Sequence, residues 1–202
     1  EAKLVVAADG RDSWVRQAAG IGARNTPYGE KGVVANFRCE KAHRNTAFQW
    51  FRKDGVLAYL PLPDQHMSMV WSAPDALADE LVALPPEALC TRVAEAGGER
   101  LGKLELVTPA AAFALRLMRV EAVVQPRLAL IGDAAHAIHP LSGHGINLGY
   151  QDARALAGQL TGLPAWRDPG ELMVLRGYAR ARAEETALLQ YTTHGLNRLF
   201  KP

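Results

Sequence analysis

Cysteine is scarce in this chain: Cys39 and Cys90 are the only two among 202 residues. They have no metal-ligand spacing and no partner motif, so a pair of buried free thiols in a reducing compartment is favoured over a disulfide. No apolar run approaches the ~20 residues that a membrane-crossing helix needs. The N-terminus lacks a basic region followed by an apolar stretch, so no signal peptide is read there. Charge of one sign is not in excess either: the formal net charge is +2, and no preference for nucleic acid or another polyanion follows from it. Internal repeats and low-complexity tracts are missing. A G-x-S-x-G elbow is absent, which removes the commonest hydrolase signature. The glycine-rich stretches Gly20-Ile21-Gly22 and Gly143-His144-Gly145 fail, on spacing or context, to make a G-x-G-x-x-G turn. What remains is a globular composition, 49% hydrophobic and 22% charged, sufficient for one large domain or two small ones.

Lys3 to Ala8 reads as a short strand buried on both faces, ended by Asp9-Gly10. Ser13 is placed to cap a short helix through Ala19, with Gly20 at its end. Between Gly32 and Ser72 the pattern changes. Val33–Arg38, Thr46–Phe51, Val56–Leu60 and Met67–Trp71 favour strands, with Asp54-Gly55 as a hairpin turn. This predicts antiparallel sheet in a different layer from the opening strand. Asp75 to Leu84 predicts a helix capped by Asp75, and Pro86 opens another that Gly97-Gly98 stops. Leu104–Val107 and Phe113–Leu117 return to strand, and Leu128–Ile131 is a continuous apolar strand. A helix is expected from about Ile146 to Leu160, closed near Gly162 and Pro164, and one long helix or two in series from Glu171 to about Phe200. An α/β piece, a β-rich insert and a second α/β piece predict one fold interrupted by another sheet.

The chemistry is concentrated after the apolar strand, in Gly132-Asp133-Ala-Ala-His136-Ala-Ile-His139-Pro140-Leu-Ser142-Gly143-His144-Gly145-Ile146-Asn147. A buried strand ending in Gly-Asp puts a carboxylate at the carboxyl edge of a sheet, where open α/β folds bind ligands and where Asp can accept hydrogen bonds from ribose hydroxyls. The glycines that follow let backbone approach a flat ligand with no Cβ between. A helix starting near Asn147 would aim free N–H groups and its positive dipole end at that ligand, favouring an anion or a ring that becomes anionic.

That stretch resembles the second FAD-binding motif of flavin aromatic hydroxylases, the p-hydroxybenzoate hydroxylase-like fold. His139-Pro140-Leu-Ser142-Gly143-His144-Gly145-Ile146-Asn147-Leu-Gly149-Tyr-Gln-Asp152 is similar, more narrowly, to the signature of ubiquinone-biosynthesis hydroxylases. The family usually has Ala or Gly at the place of Ser142 and Gln at the place of His144. Val5-Val-Ala-Ala-Asp9-Gly10-Arg11-Asp-Ser13-Trp-Val-Arg16 resembles the family's Asp-Gly motif, with Ala7 where Gly is common. A weaker likeness to the substrate sheet runs from Gln49-Trp-Phe through Leu60-Pro61-Leu62 to Val70-Trp71-Ser72.

The resemblance implies an α/β fold in which a partial FAD-binding domain, residues 1–26 and 121–202, is interrupted by a mostly antiparallel, β-rich substrate-binding domain at 27–120. It implies that Gly132 and Asp133 bind the ribityl or ribose hydroxyls of FAD, and that Pro140 lies beside the reactive side of the isoalloxazine. Gly143, His144, Gly145, Ile146 and Asn147 would face its pyrimidine edge, while Asp9, Gly10 and Arg16 would lie near the pyrophosphate and the passing NAD(P)H. The implied activity is that of a monooxygenase: reduction of FAD by NAD(P)H, reaction with O2, and hydroxylation of a phenolic ring, with a polyprenylated phenol of ubiquinone biosynthesis as substrate. No general base is assigned. A small soluble phenol as substrate, or a non-catalytic assembly role within a biosynthetic complex, are the alternatives.

The family's opening G-x-G-x-x-G segment would lie upstream of Glu1, so a truncated chain with weak or no FAD binding is expected, one whose exposed sheet edge favours self-association. A cytoplasmic location, peripheral at the inner membrane, fits a prenylated substrate. Asp133, His136 and His139 share three-residue spacing, but Gly132 and Pro140 bracket them and no metal site is read. Trp14, Trp50, Trp71, Trp166 and Phe51 are expected in the core rather than as a substrate platform. Arg176, Arg180 and Arg182 with Leu172, Leu175 and Leu189 are expected to make a solvated helix face rather than a membrane-facing one.

Overall fold

The structure is a computed structural model that describes residues 2–139, 143 and 145–199. In chain order the elements are β1 (Val5–Ala7), α1 (Trp14–Ala18), β2 (Ala23–Cys39), β3 (Phe48–Arg52), β4 (Gly55–Pro61), β5 (His66–Pro74), α2 (Asp75–Ala83), α3 (Pro86–Ala96), β6 (Leu104–Leu106), β7 (Ala111–Val120), β8 (Val124–Gln125), β9 (Leu128–Leu130), a 3-10 turn (Gly132–Ala134), β10 (His136–Ala137), α4 (Gly145–Thr161) and α5 (Leu172–Leu199). They form two compact units, one made of residues up to Thr26 and from Arg116 onward, the other of Pro27 to Leu115. The mixed α/β class and the antiparallel sheet are as the sequence predicts.

In the first unit β1 runs parallel to β9, with Val5 opposite Leu128 and Ala7 opposite Leu130, and β8 pairs antiparallel on the far side of β9. Only the middle strand is sealed: all three residues of β9 are buried. β1 does not have the two buried faces expected of it, since Val5 and Val6 are 44% and 42% exposed. It is an edge strand among the described residues, and only Ala7 reaches the core. Leu156 of α4 and Leu175 and Tyr178 of α5 pack with Val124 and Ala129 against this sheet. α5 is one continuous helix through Leu199. Its Leu175 and Arg182 point inward, while Arg176 and Arg180 are exposed.

The second unit is built on strict alternation. Val33, Ala35 and Phe37 of β2, Leu57 and Tyr59 of β4, and Met67, Met69 and Trp71 of β5 are all buried, and every one sits at a two-residue step. Such a period puts them on one face. β2 pairs antiparallel with β5, β5 with β4, and β4 with β3. Leu81 of α2 and Leu89 and Val93 of α3 complete the core. Each fully buried side chain of this size contributes roughly 1.5–3 kcal/mol. Tyr59 donates its hydroxyl to the Val93 carbonyl at 2.5 Å. Gly97 leaves room for that ring, because a Cβ there would stand 2.3 Å from the Tyr59 oxygen. The β3–β4 hairpin forms, but its loop is Lys53-Asp54 rather than Asp54-Gly55, because Gly55 already pairs with Arg52; Gly55 has φ +122°, and a Cβ on it would meet the Ser72 carbonyl.

Several boundaries differ from expectation. β2 begins at Ala23, ten residues before the apolar alternation does, because pairing rather than propensity carries Arg24, Asn25, Thr26 and Pro27 into the strand. Pro74 rather than Asp75 occupies the N-cap of α2, and no side chain bonds the cap. Of the aromatic residues expected in the core, Trp71 is fully buried and Trp50 packs half-buried against the same cluster, but Trp14, Phe51 and Trp166 are 75%, 70% and 79% exposed. Phe51 is on the outer face of β3, a strand at the end of its sheet, and Trp14 opens a one-turn helix at the surface. The cysteines are free thiols, Cys39 buried and Cys90 half-buried. Burial pushes the Cys39 thiol up to about 11. Among the described residues no helix is long and apolar enough to cross a membrane.

Candidate functional site

The parallel register of β1 and β9 brings the two sequence motifs together. Ile131, just past β9, donates its N–H to the carbonyl of Ala7 at 2.9 Å. Asp9-Gly10 and Gly132-Asp133 therefore leave the carboxyl ends of neighbouring strands. Such an edge is where open parallel sheets receive ligands. Gly132 adopts φ +58° and Gly10 φ +84°, left-handed conformations that side-chain-bearing residues avoid.

Asp133 is exposed, and no hydrogen bond to its carboxylate is found among the described residues. Asp9 is partly committed: its Oδ2 accepts the Val15 N–H at 3.1 Å, and the Ser13 hydroxyl bond foremost, with the N–H groups opening α1, holds its carboxyl below the usual range. Ser13 caps the same helix through the Arg16 N–H at 2.9 Å. Arg16 is buried, and its guanidinium donates to the Ala134 and Arg11 carbonyls, each at 3.0 Å. It ties the Asp9 loop to the turn that carries Asp133, and in this structure its charge faces inward.

α4 starts at Gly145, so Gly145, Ile146 and Asn147 form its first turn, whose N–H groups have no acceptor within the helix. Ile146 is 67% exposed, and among the described residues nothing lies within 4 Å of where a Cβ of Gly143 or Gly145 would be. Pro140, Ser142 and His144 lie outside the described residues. Residues 132–137 form a 3-10 turn and a short strand, so Asp133 and His136 do not share a helical face.

The residues that hold this turn in place went unassigned in the sequence motifs. Asp152 of α4 is completely buried. Its Oδ2 accepts the Gly132 N–H at 2.9 Å and faces His136 Nε2 at 2.7 Å, while Oδ1 accepts from Arg182 Nε at 2.8 Å. Burial works to raise its carboxyl, but His136, Arg182 and the Gly132 N–H outweigh it and hold the group below the usual carboxylate range. Arg182 also reaches Glu185 and Gln151. Gly149, three residues before Asp152, lets α4 touch the turn: a Cβ on it would stand 3.4 Å from the Gly132 Cα. One sequence signal was available. Asp152 interrupts the buried stripe Leu148–Asp152–Leu156 at four-residue spacing, and a carboxylate there must be paired.

A family described as FAD binding domain matches residues 1–188 of this chain. The chain belongs to the FAD-binding domain family. Ubiquinone hydroxylase UbiL of Rhodospirillum rubrum is 38% identical over 98% of the chain and 47% of its own length. 3-Demethoxyubiquinol 3-hydroxylase of Escherichia coli is 40% identical over 94% of the chain and 48% of its own length. Human ubiquinone biosynthesis monooxygenase COQ6, mitochondrial, is 34% identical over 99% and 50%. The chain thus spans about half the length of the curated relatives it matches. Among solved structures, Pseudomonas aeruginosa PqsL in complex with 2-aminobenzoylacetate superposes with a TM-score of 0.78 at 25% identity, over 98% of this chain and 56% of that one. The flavin-dependent halogenase CmlS shares the fold, with a TM-score of 0.77 over 98% of this chain and 38% of its own, at 19% identity.

The residues of this FAD-binding domain fit their cofactor. The open Asp133 carboxylate suits a polyol, and the left-handed Gly132 and Gly10 and the first turn of α4 present N–H groups in space that a Cβ would narrow.

Proposed function

We propose that residues 1–26 and 121–202 hold FAD and that the β-rich 27–120 segment forms the substrate side of an aromatic-ring monooxygenase. In this reading Asp133 accepts hydrogen bonds from ribityl or ribose hydroxyls, with Gly132 clearing the approach. The N–H groups of Gly143, Gly145, Ile146 and Asn147 face the ring's pyrimidine edge, as does His144 by resemblance, while Pro140 by the same resemblance lies beside the reactive side of the isoalloxazine. Asp9 and Gly10 flank the pyrophosphate, and Arg16 positions their loop. When bound, FAD supplies hydride acceptance from NAD(P)H and activation of O2, which no side chain here can provide.

The whole protein is proposed to hydroxylate a polyprenylated phenol of ubiquinone biosynthesis, in the cytoplasm or at the inner membrane surface and beside other proteins of that pathway. The names of the similar ubiquinone hydroxylases support that substrate class. A small soluble aromatic substrate is the second reading, favoured by the likeness to PqsL. The observation that carries the proposal is the open Asp133 carboxylate at the carboxyl end of the β1–β9 pair. FAD titration into the intact protein that contains this chain, followed by flavin fluorescence, tests it. Loss of a charge-assisted hydrogen bond costs about 1.5–3 kcal/mol, so Asp133→Ala should weaken FAD by roughly 10- to 100-fold. Unchanged affinity in a folded Asp133→Ala protein would overturn it. The chain alone, which has no G-x-G-x-x-G turn, is expected to bind FAD weakly.

A further inference from the structure

Several cations of this molecule are paired with acids: Lys31 with Asp79, Arg52 with Asp54, Arg116 with Asp12, Arg127 with Asp168. In the second unit one cluster departs from that pattern. Lys41, Arg44 and Arg100 line a concavity of about 420 Å3 together with His43, Thr46 and Phe48, and no acidic residue lines it. Among the described residues none of the three cations has an ion-pair partner. The nearby acids Glu40 and Glu99 line the neighbouring groove, whose wall Lys41 shares, and Glu40 Oε2 is taken up by the Lys103 N–H at 2.8 Å.

The cluster sits on a fixed frame. His43 is buried; its Nδ1 accepts the Asn45 N–H at 3.1 Å, which leaves Nε2 as the donor to the Leu62 carbonyl at 3.0 Å. That ring pins the loop across two residues at positive φ, Arg44 at 51° and Asn45 at 57°. The conformation is ordinary for Asn but unfavourable for Arg. Lys41 donates its N–H to the Leu101 carbonyl at 2.9 Å, which holds the loop against the Arg100 segment. The Arg100 guanidinium lies over the Phe48 ring, 5.2 Å from its centroid, and is thereby oriented in advance. Three like charges held together repel one another, and a strained loop that presents one of them is the kind of site where strain accompanies function.

We propose that this pocket is an anion site for a phosphate group, either on a soluble phosphorylated molecule or on a phospholipid headgroup. Three cations match a tetrahedral dianion better than a single carboxylate, the Thr46 hydroxyl adds a donor once it turns from the Arg44 carbonyl 3.4 Å away, and the volume leaves room for the group that carries the phosphate. The proposal stands apart from the FAD reading, because it uses none of the same residues.

The test uses the intact protein with three probes: inorganic phosphate by calorimetric titration, sodium acetate as a carboxylate control, and sedimentation with vesicles of phosphatidylcholine alone or containing phosphatidic acid. Lys41, Arg44 and Arg100 are exposed and without ion-pair partners among the described residues, and Arg100 packs only over the Phe48 ring, so the triple variant Lys41→Gln, Arg44→Gln, Arg100→Gln should melt within a few degrees of the parent. The expected result is saturable phosphate binding, weakened at least tenfold in the triple variant, with acetate binding far weaker. Capture by phosphatidic acid vesicles that free phosphate competes away assigns the headgroup source. Phosphate binding without vesicle capture assigns the soluble one. Absence of binding to both probes, binding unchanged in the triple variant, or equal binding of acetate overturns the proposal.

Discussion

Removing the carboxylate of Asp152 should loosen the turn that carries Asp133 as well as the fold around it. Asp152→Ala leaves Arg182 buried without its fully buried counter-charge, leaves the Gly132 N–H without an acceptor, and leaves His136 Nε2 without its partner. Breaking a buried ion pair from one side costs about 3–5 kcal/mol. Here Glu185, 47% exposed, and Gln151 still reach the guanidinium, so the lower end applies, about 3 kcal/mol. For a chain of this size that corresponds to a melting temperature lower by roughly 6–12 °C. Asp152→Asn keeps one acceptor oxygen and should lose less, about 1–2 kcal/mol. Urea denaturation at pH 7 measures both, and amide hydrogen exchange at Gly132 reports the local effect. The folded carboxyl lies below its unfolded value, so the stabilisation is fully present above the unfolded pKa, ~3.9, and is lost as pH falls through the folded one. The parent should therefore lose stability in acid more steeply than Asp152→Asn. Asp152→Ala within about 0.5 kcal/mol of the parent, with Gly132 still protected from exchange, would refute this account.

Three smaller perturbations follow from the same geometry. Gly132→Ala forces a side chain into φ +58° and should cost about 1–2 kcal/mol, read as a lower urea midpoint at unchanged slope. Tyr59→Phe removes the hydroxyl that bonds the Val93 carbonyl and should cost about 0.5–1.5 kcal/mol, whereas Gly97→Ala, which drives a methyl into that ring, should cost about 1–3 kcal/mol. Cys39, buried and with its thiol pushed up to about 11, should resist an aromatic disulfide reagent at pH 7.5 until urea unfolds the chain.

The strand-rich insert was legible because β4 and β5 bury alternate residues, and alternation is a property of sequence. The Asp133 strand was legible for a different reason: a short, wholly apolar run ended by Gly-Asp fits a buried strand that delivers a carboxylate to a sheet edge, and fits little else. The first ten residues of β2 were not, since Arg24 to Gly29 carry turn-like composition and become strand only through partners far along the chain. β1 looked sealed because three apolar residues in a row do not reveal that a strand has one open side. The links of Asp152 to Gly132, His136 and Arg182 join residues up to 30 positions apart. Such pairing follows from packing, so only the oddity of an acid in an apolar stripe hinted at it. Lys41, Arg44 and Arg100 were equally hidden, because a lone basic residue in a loop reads as solvated surface.

Tyr178 and Arg182 stand four residues apart on α5, the first bonded to the Leu130 carbonyl at 2.8 Å and the second to Asp152 at 2.8 Å. Two polar pegs one turn apart work like teeth in a rack. A slide of α5 by one turn, about 5.4 Å, would unseat both and strand a buried carboxylate. The turn that carries Asp133 is therefore backed, through Asp152, by a helix fixed in its axial position, and any response of α5 must come as rotation of side chains rather than as a shift along its length.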